Sequence, residues 1–234
     1  MPDDGTTESG LRNGAAKARP SSPALRFKCG WRFERAARRE GATLIAGVDE
    51  VGRGSLFGPV VAAAVIFAGE PGFRHLRDSK QLTPAERAAW ERRIQRRALA
   101  WAVAELDSGR IEVMNILQAS RRAMLAAVAQ LRPSPDFLLV DALHLDWPGP
   151  QQAIIHGDAR SASIAAASIL AKEHRDRLIR AWDTVYPAYR LGQNKGYATR
   201  EHRQAIARWG LTPLHRRSFC LTSVLEQDDA PAKS

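Results

Sequence analysis

Four acidic residues are the side chains of this sequence best suited to bind metal ions, because each stands at or near the end of an apolar run. They are Asp49, Glu50, Asp141 and Asp158. In open α/β sheets ligands bind beyond the carboxyl ends of the strands, so neighbouring strands would bring these carboxylates together. Oxygen donors without Cys or His favour Mg²⁺ or Mn²⁺, and a pair of such ions can promote hydrolysis of a phosphodiester.

The simpler interpretation of an acid after a strand is an exposed turn residue. Asp158 taken alone fits a turn or helix-capping role better than a ligand role, and Asp141 taken alone fits either. The adjacent pair Asp49 and Glu50 differs, because a Gly-Arg-Gly sequence follows within two residues. Whether all four acids converge depends on the order of the strands, which their spacing leaves open.

Gly52, Arg53 and Gly54 form a glycine-rich segment that runs on to Gly58. Its spacing is G-x-G-x-x-x-G and a strand follows it, so it is neither a dinucleotide-binding fingerprint nor a phosphate-binding P-loop. One interpretation is a hairpin loop whose glycines supply positive φ. The other is that its exposed backbone and its arginine contact a sugar hydroxyl, and the 2′-hydroxyl is what separates RNA from DNA.

The charge of the chain favours a polyanionic partner. The formal net charge is +10 and the pI about 10.4, which is typical either of nucleic-acid binding or of a solvated basic surface. Between Lys172 and Arg217 there are eleven Lys or Arg and four acidic residues, with aromatic residues interleaved. Basic groups for phosphates and aromatic rings for stacking are the usual means of binding nucleic acid.

Within and before this basic half, two loop segments offer candidate substrate contacts. Lys195 and Tyr197 flank a glycine, and Lys80 lies just before a predicted helix, although a surface turn is an equal alternative for Lys80. We expect Trp182 and Trp209 to be helix-packing residues. His202 and His215 lie in basic surroundings and are expected to contact phosphate or solvent.

The apolar segments predict an α/β fold around a mixed sheet, since three consecutive strands precede strands that alternate with helices. Strands are expected at 44–48, 60–67, 99–106 and 137–141, and a further apolar run at 153–158 ends in Asp158. Helices are expected at 32–40, from a capping box at Thr83 to 97, over 111–131, from Ser161 onward, and over 199–208.

Composition divides the chain into five expected segments. They are a disordered tail (1–24), a short helical lead-in (25–42), an α/β domain (43–198), a helical extension (199–226) and a second disordered tail (227–234). Cys29 and Cys220 form no C-x-x-C motif and fit a reduced compartment. With neither a secretory leader nor an apolar run near the ~20 residues of a membrane span, we expect a cytoplasmic protein without membrane contact.

Several of these segments, in this order, resemble ribonuclease HII, the bacterial type 2 ribonuclease H. The resemblance covers about residues 43–222, and its most specific blocks are the first and the fifth of the following. The blocks are Asp49-Glu50-Val51-Gly52-Arg53-Gly54, Asp78-Ser79-Lys80-Gln81-Leu82, Leu139-Val140-Asp141, Gly157-Asp158, Ser163-Ile164-Ala165-Ala166-Ala167-Ser168-Ile169-Leu170-Ala171-Lys172, Lys195-Gly196-Tyr197 and His215-Arg216-Arg217-Ser218-Phe219.

The resemblance implies a ribonuclease H-like mixed sheet flanked by helices, with a helical C-terminal extension. It implies an endoribonuclease that cleaves the RNA strand of RNA–DNA hybrids and DNA with single embedded ribonucleotides, cutting 5′ to the ribonucleotide to leave 3′-hydroxyl and 5′-phosphate ends. The four carboxylates would be catalytic ligands of Mn²⁺ or Mg²⁺, in a site for two ions. Gly52, Arg53 and Gly54 would bind the 2′-hydroxyl, and Tyr197 would pack on the sugar at the junction. We expect a monomer.

Three positions depart from what is common in that family. Ser55 stands where Pro or a similar small residue is common, Ala142 where Gly is common, and His156 where Lys is common. Two other functions stay open at this point: a metal-dependent nuclease of the same fold that resembles resolvases or integrases, and a non-catalytic nucleic-acid-binding protein.

Overall fold

The computed structural model of the protein describes residues 29–73, 76, 79 and 82–219. The strands are β1 (Ile45–Val51), β2 (Val60–Ile66), β3 (Ala100–Leu106), β4 (Phe137–Asp141) and β5 (Gln151–Ile154). The helices are α1 (Arg32–Arg39), α2 (Pro84–Arg97), α3 (Ser108–Met114), α4 (Ile116–Ala129), α5 (Ala162–Val185), α6 (Leu191–Asn194) and α7 (Arg200–Trp209). The tails expected at 1–24 and 227–234, Lys80 and Cys220 lie outside the described residues.

The five strands form one mixed sheet in the order β3-β2-β1-β4-β5. The hairpin strands β1 and β2 pair antiparallel, as do β2 and β3. The central strand β1 pairs parallel with β4, and β4 pairs parallel with β5. The carboxyl ends of β1, β4, β5 and β3 therefore share one edge of the sheet, which confirms the predicted mixed α/β architecture.

Helices cover both faces of this sheet. Alternate residues of β2 point to opposite sides, so that Val60 and Ala62 join a core with α4, while Val61 and Ala63 join a core with α5. Helix α5 lies very close to β1: a Cβ built on Gly47 would come within 2.2 Å of the backbone of Ser163. Only glycine at this strand position admits the helix.

Most predicted elements are confirmed, and the exceptions have local causes. The Thr83 capping box is formed in full, and Ser161 caps α5. The single helix expected over 111–131 is wrong, because Asn115 adopts φ 68° and its side chain caps a second helix. The apolar run that ends at Asp158 is not one strand: β5 ends at Ile154, and Asp158 lies in a 3₁₀ turn over Gly157–Ala159.

The C-terminal helices form a smaller core against the loop that follows β1. Phe57 packs in the centre of it, with Trp182 edge-on at 5.7 Å between ring centroids, as expected for a packing residue. Trp209 does not follow that expectation, since it is 58% exposed. None of the helices in the described ranges is both long and apolar enough to cross a membrane.

Candidate metal centre and nucleic-acid interface

The four acidic residues gather at the edge where the parallel strands end. Asp49 and Glu50 lie near the end of β1, and Asp141 is the last residue of the neighbouring β4. Asp158 reaches the same edge from the 3₁₀ turn beyond β5 and is only 5% exposed. The charges of Glu50, Asp141 and Asp158 all act on Asp49, which shows that the four groups are neighbours in space.

Backbone and hydroxyl donors hold two of these carboxylates in place. Asp49 Oδ1 accepts a hydrogen bond from the backbone N–H of Glu50 at 2.7 Å, and its side chain is also hydrogen-bonded to Ser168 of α5. Asp141 Oδ1 accepts a hydrogen bond from the N–H of Gly157 at 2.7 Å. A Cβ on Gly157 would lie 3.1 Å from that same oxygen, so the glycine allows the close approach.

Burial and mutual repulsion make this cluster electrostatically unfavourable for the protein alone. Burial, followed by the charges of Glu50 and Asp141, raises the pKa of Asp49 well above its ordinary value. Burial also raises the pKa of Glu50, although the guanidinium of Arg53 opposes this, with 3.4 Å between Arg53 Nη1 and Glu50 Oε1. Groups whose charged forms are destabilised in this way are typical of functional sites.

The donors fit a hard divalent cation. All four are carboxylates, and Glu50 Oε2 is buried with no hydrogen-bond partner in the described parts of the chain, so a cation would satisfy an atom that the protein leaves unsatisfied. As they stand, the side chains do not form a closed ligand cage: across residues 29–73, 76, 79 and 82–219 no three His, Cys, Asp or Glu groups are arranged around one ion position. Repulsion between like charges favours such separation.

A buried arginine supports the glycine-rich loop from beneath. Arg175 of α5 is 0% exposed, and its guanidinium donates hydrogen bonds to four oxygens. They are the carbonyl oxygens of Pro59 (3.2 Å), Phe57 (3.0 Å) and Lys195 (3.0 Å) and the hydroxyl of Ser55 (2.8 Å). Gly52 has φ +92°, and a Cβ there would lie 2.3 Å from Arg175 Nε. The loop thus contains Gly52 because the arginine leaves no room for a side chain.

A second buried arginine holds the same loop from the other side. Arg216, also 0% exposed, donates from Nε to the carbonyl oxygen of Gly58 at 3.0 Å and from Nη1 to that of Arg53 at 2.8 Å. Two of the eleven basic residues counted between Lys172 and Arg217 are therefore internal and fix backbone carbonyls. The positive charge of this half is smaller on the surface than the sequence suggests.

The Tyr197 segment is joined to the glycine-rich loop. The N–H of Leu56 donates to the carbonyl oxygen of Gly196 at 2.8 Å, and Ser55 forms an isolated β-bridge with Tyr197. The Arg175 guanidinium stands 5.6 Å from the centroid of the Tyr197 ring. Arg175 therefore contacts both segments and fixes their relative position.

His202 and His215 correct the sequence interpretation, because both rings are buried inside the protein and do not lie on its surface. They are 0% and 3% exposed, with 3.2 Å between their Nε2 atoms. His215 Nδ1 accepts from the N–H of Thr212 at 2.9 Å, and His202 Nδ1 lies 2.9 Å from the carbonyl oxygen of Tyr197. These hydrogen bonds can all form when both imidazole rings are neutral, with the proton on Nε2 of His215 and on Nδ1 of His202. Burial lowers the pKa of both, that of His215 to about 4.

The glycines of the loop differ in what they face. A Cβ on Gly54 would meet nothing within 4 Å, and Gly54 is exposed. Arg53 beside it has a side chain that is 41% exposed while it pairs with Glu50. No contact in the described parts of the chain requires the glycine at position 54, so this part of the loop is open to a ligand that approaches closely.

The structure brings most of the predicted site residues together, but not all of them can be placed. The four carboxylates lie at one edge of the sheet. The segment Gly52, Arg53 and Gly54 directly follows two of them, Asp49 and Glu50, in the sequence. The Lys195 ammonium is hydrogen-bonded to the carbonyl oxygen of Gly192, while its own carbonyl accepts from Arg175. Lys80 lies outside the described residues, but Ser79 beside it is buried and hydrogen-bonded to Ser168, 2.9 Å between the hydroxyl oxygens.

Sequence reasoning missed the residues that hold this site from within. Arg175 and Arg216 were counted as surface charge, and Ser55 was noted only as a departure from a family pattern. A buried arginine gives no periodic signal of its own. The one signal available for Arg175 is its position on the same helix as Ser168, seven residues and about two turns away.

Comparison with known proteins identifies relatives over most of the chain. The family model described as Ribonuclease HII matches residues 46–222. A protein of Solibacter usitatus named Ribonuclease HII is 53% identical over 201 residues, covering 86% of this chain and 88% of the relative. The Ribonuclease HII of Bacillus subtilis is 47% identical over 187 residues, covering 80% of this chain and 73% of the relative.

Solved structures agree at the level of the fold. The ribonuclease H2 from Pyrococcus horikoshii matches with a TM-score of 0.64 at 24% identity, covering 80% of this chain and all of that one. Bst-RNase HIII in complex with Mn²⁺ matches with a TM-score of 0.58 at 19% identity, covering 82% of this chain and 72% of that one. The expected ribonuclease H-like sheet with a helical C-terminal region is thereby confirmed.

Proposed function

Because this chain belongs to the ribonuclease HII family, we propose that the carboxylates of Asp49, Glu50, Asp141 and Asp158 are its catalytic centre. The chain is a ribonuclease H, an endonuclease that hydrolyses the RNA strand of RNA–DNA hybrids. Its substrates include single ribonucleotides embedded in duplex DNA, with 3′-hydroxyl and 5′-phosphate products. The observation that carries the assignment of the site is the convergence of four carboxylates, two of them with raised pKa, beside a glycine loop.

The same four residues would hold the metal ions, Mn²⁺ or Mg²⁺, in a site for two. When bound, such ions lower the pKa of water and stabilise the charge that develops on the leaving oxygen. The protein contributes the positions of its ligands: Ser168 and the Glu50 N–H fix Asp49, and the Gly157 N–H fixes Asp141. Ligands that are held in place beforehand need no reorganisation when the substrate binds.

Recognition of the ribonucleotide is assigned to the loop beside the carboxylates. Gly52, Arg53 and Gly54, of which Gly54 is exposed, would contact the 2′-hydroxyl through their backbone and the Arg53 guanidinium. Tyr197, held against Ser55 and near Arg175, would pack on the sugar at the junction of ribonucleotide and deoxyribonucleotide. Lys195 and Lys80 are proposed as phosphate contacts. A monomeric state and a cytoplasmic location stay predictions.

The test of the reaction is cleavage of a DNA duplex that carries one ribonucleotide, with Mn²⁺, with Mg²⁺ and with chelator. An all-DNA duplex of the same sequence is the control. A single metal-dependent cut 5′ to the ribonucleotide, absent from the control, is the expected result. Equal cutting of both duplexes would refute the proposed recognition of the 2′-hydroxyl.

The test of the loop is Gly54→Ala. Because the added methyl group meets nothing within 4 Å among the residues that the structure describes, the variant should melt at the temperature of the parent. We expect kcat/KM for the ribonucleotide substrate to fall, because the methyl group occupies the space that the sugar would enter. Gly58→Ala would not serve as this test. Gly58 has φ +78° and a Cβ there would contact Trp182, so the substitution would lower the stability of the fold. An unchanged kcat/KM for Gly54→Ala would place the sugar elsewhere.

A further inference from the structure

A basic groove of about 650 Å³ lies outside the proposed catalytic centre. Helices α3 and α4 form one wall, and the segment after β4 forms the other. Its polar lining consists of Arg110, Gln118, Arg121, Arg122 and His144, with Asp146 as the single acid. Helix α4 itself contains no acidic residue. These three arginines precede Lys172 and so lie outside the basic segment between Lys172 and Arg217 that the sequence analysis identified.

Among the described residues, the arginines of the groove are weakly paired or form no salt bridge. In the described ranges Arg121 and Arg122 form no salt bridge, and Arg121 Nε is buried without a hydrogen-bond partner. Arg110 has a side chain that is 69% exposed and makes only a long contact with Asp107, 3.8 Å between Nε and Oδ2. The exposed guanidinium groups of Arg110 and Arg122 are therefore available to an anion in the groove.

One end of the groove lies at the same edge of the sheet as the carboxylates. Leu106, which lines it, is the last residue of β3, and β3 runs parallel to β1 because each pairs antiparallel with β2. His144 stands three residues after Asp141. The glycine loop is fixed by α5, on the other face of the sheet from α4. A nucleic acid centred on the carboxylates therefore has one basic surface on each side.

We propose that this groove binds phosphates of the substrate duplex at a distance from the bond that is cut. The inference rests on the proposed function, because it takes the duplex to be centred on the four carboxylates. Guanidinium groups bind phosphate oxygens through paired hydrogen bonds, and contacts to phosphates position a duplex without reading its sequence. The groove would contribute affinity and register, while the loop beside the carboxylates supplies the recognition of the ribonucleotide.

The test compares Arg121→Gln/Arg122→Gln with a matched control, Arg92→Gln/Arg96→Gln. The control removes the same charge from exposed positions on α2, and Arg96 lies in the last turn, which leads to the start of β3 at the opposite edge of the sheet. Binding of a labelled 24-base-pair duplex with one ribonucleotide is measured by fluorescence anisotropy in chelator, over a series of salt concentrations. Because binding is read without cleavage, the result for the groove is independent of the result for the reaction.

We expect the groove variant to bind about 10-fold more weakly at low salt. The slope of log K against log[salt] should fall by about 1 to 2, as expected for the loss of one or two phosphate contacts. When the duplex is shortened on one side of the ribonucleotide, the affinity of the parent should drop abruptly at one length. The groove variant should show no such drop. Melting temperatures of both variants establish that they fold, and Arg122→Gln alone, at an exposed position, gives a second measurement.

Two results would overturn the proposal. One is a salt slope and affinity equal to those of the α2 control. The other combines two measurements on the groove variant: calorimetry shows that it no longer binds inorganic phosphate, while its affinity for the duplex is unchanged. That combination would make the groove a site for free anions. A parent protein that binds the duplex through the groove but does not cut it would refute the proposed reaction and leave the groove assigned.

Discussion

The substitution Asp49→Asn should make the metal-free protein more stable while it removes the activity. Asp49 is 4% exposed, and burial together with the charges of Glu50 and Asp141 raises the pKa of its carboxyl. The ionised form is thus less stable in the folded protein than in the unfolded chain. Asparagine removes the charge and retains the contacts, because its Oδ1 can accept from the Glu50 N–H and its Nδ2 can donate to Ser168.

The size and sign of this effect follow from proton linkage. Each unit by which folding raises the pKa of an acid costs about 1.4 kcal/mol at a pH above both values. We therefore expect the free energy of unfolding of Asp49→Asn to exceed that of the parent at neutral pH. Since the folded pKa lies above the ordinary 3.8, the advantage should be absent well below pH 4 and should grow as the pH rises through the folded value.

The assay is urea denaturation in chelator, and the same variant is assayed for cleavage with Mn²⁺. The matched control is Asp136→Asn, which should act in the opposite direction. Although burial raises the pKa of Asp136, hydrogen bonds from Thr43 and Leu44 outweigh it and lower that pKa. An Asp49→Asn variant that is less stable than the parent, or that cleaves normally, would refute the reasoning. Added Mn²⁺ should stabilise the parent more than the variant.

Three further predictions concern the frame of the site. Ala142 has φ 51°, a conformation that suits glycine, so Ala142→Gly should raise the free energy of unfolding by about 1 kcal/mol in urea denaturation; an unchanged or lower value would show that no strain is relieved. Because the pKa of His215 is lowered from 6.5 to about 4, the free energy of unfolding should fall by about 3 kcal/mol as the pH falls from 6.5 to 4, and a His215→Gln variant should show a shallower loss over that interval in denaturation at several pH values. Arg175→Lys loses the guanidinium fork and should cost about 2 to 4 kcal/mol of stability; it should also lower the ratio of ribonucleotide to all-DNA cleavage, whereas a purely structural role would leave that ratio unchanged.

The parts of the fold that the sequence predicts well are those whose signal is local. A capping box at Thr83 and a continuous apolar strand before Asp141 depend on residues a few positions apart, and both appear as expected. Asn115 breaks a helix that looks continuous, because asparagine is one of the few residues that tolerate a positive φ and can cap the next helix with the same side chain. Helical periodicity on both sides hides such a break.

The candidate site divides in the same way. The acidic residues stand next to strand ends and are visible in the sequence, but their convergence depends on β1 and β4 being neighbours, which no local pattern shows. The burial of Arg175 and of the His202–His215 pair is a tertiary property. From composition alone, a charged or ionisable residue is expected on the surface. It can be buried only when distant segments bring hydrogen-bond partners such as carbonyl groups to it, and the sequence does not show those contacts.

Helix α5 contributes two residues that hold the site in place. Ser168 is hydrogen-bonded to Asp49, and Arg175 is hydrogen-bonded to both the glycine-rich loop and the Tyr197 segment. Their separation of seven residues sets a length of about 10 Å that neither loop can alter. If the loop from this protein were placed in a distant relative, we therefore expect it to adopt the same conformation only when the matching stretch of α5 is transferred with it. Insertions between Ser168 and Arg175 should be rejected in a random library, whereas insertions in exposed loops should survive.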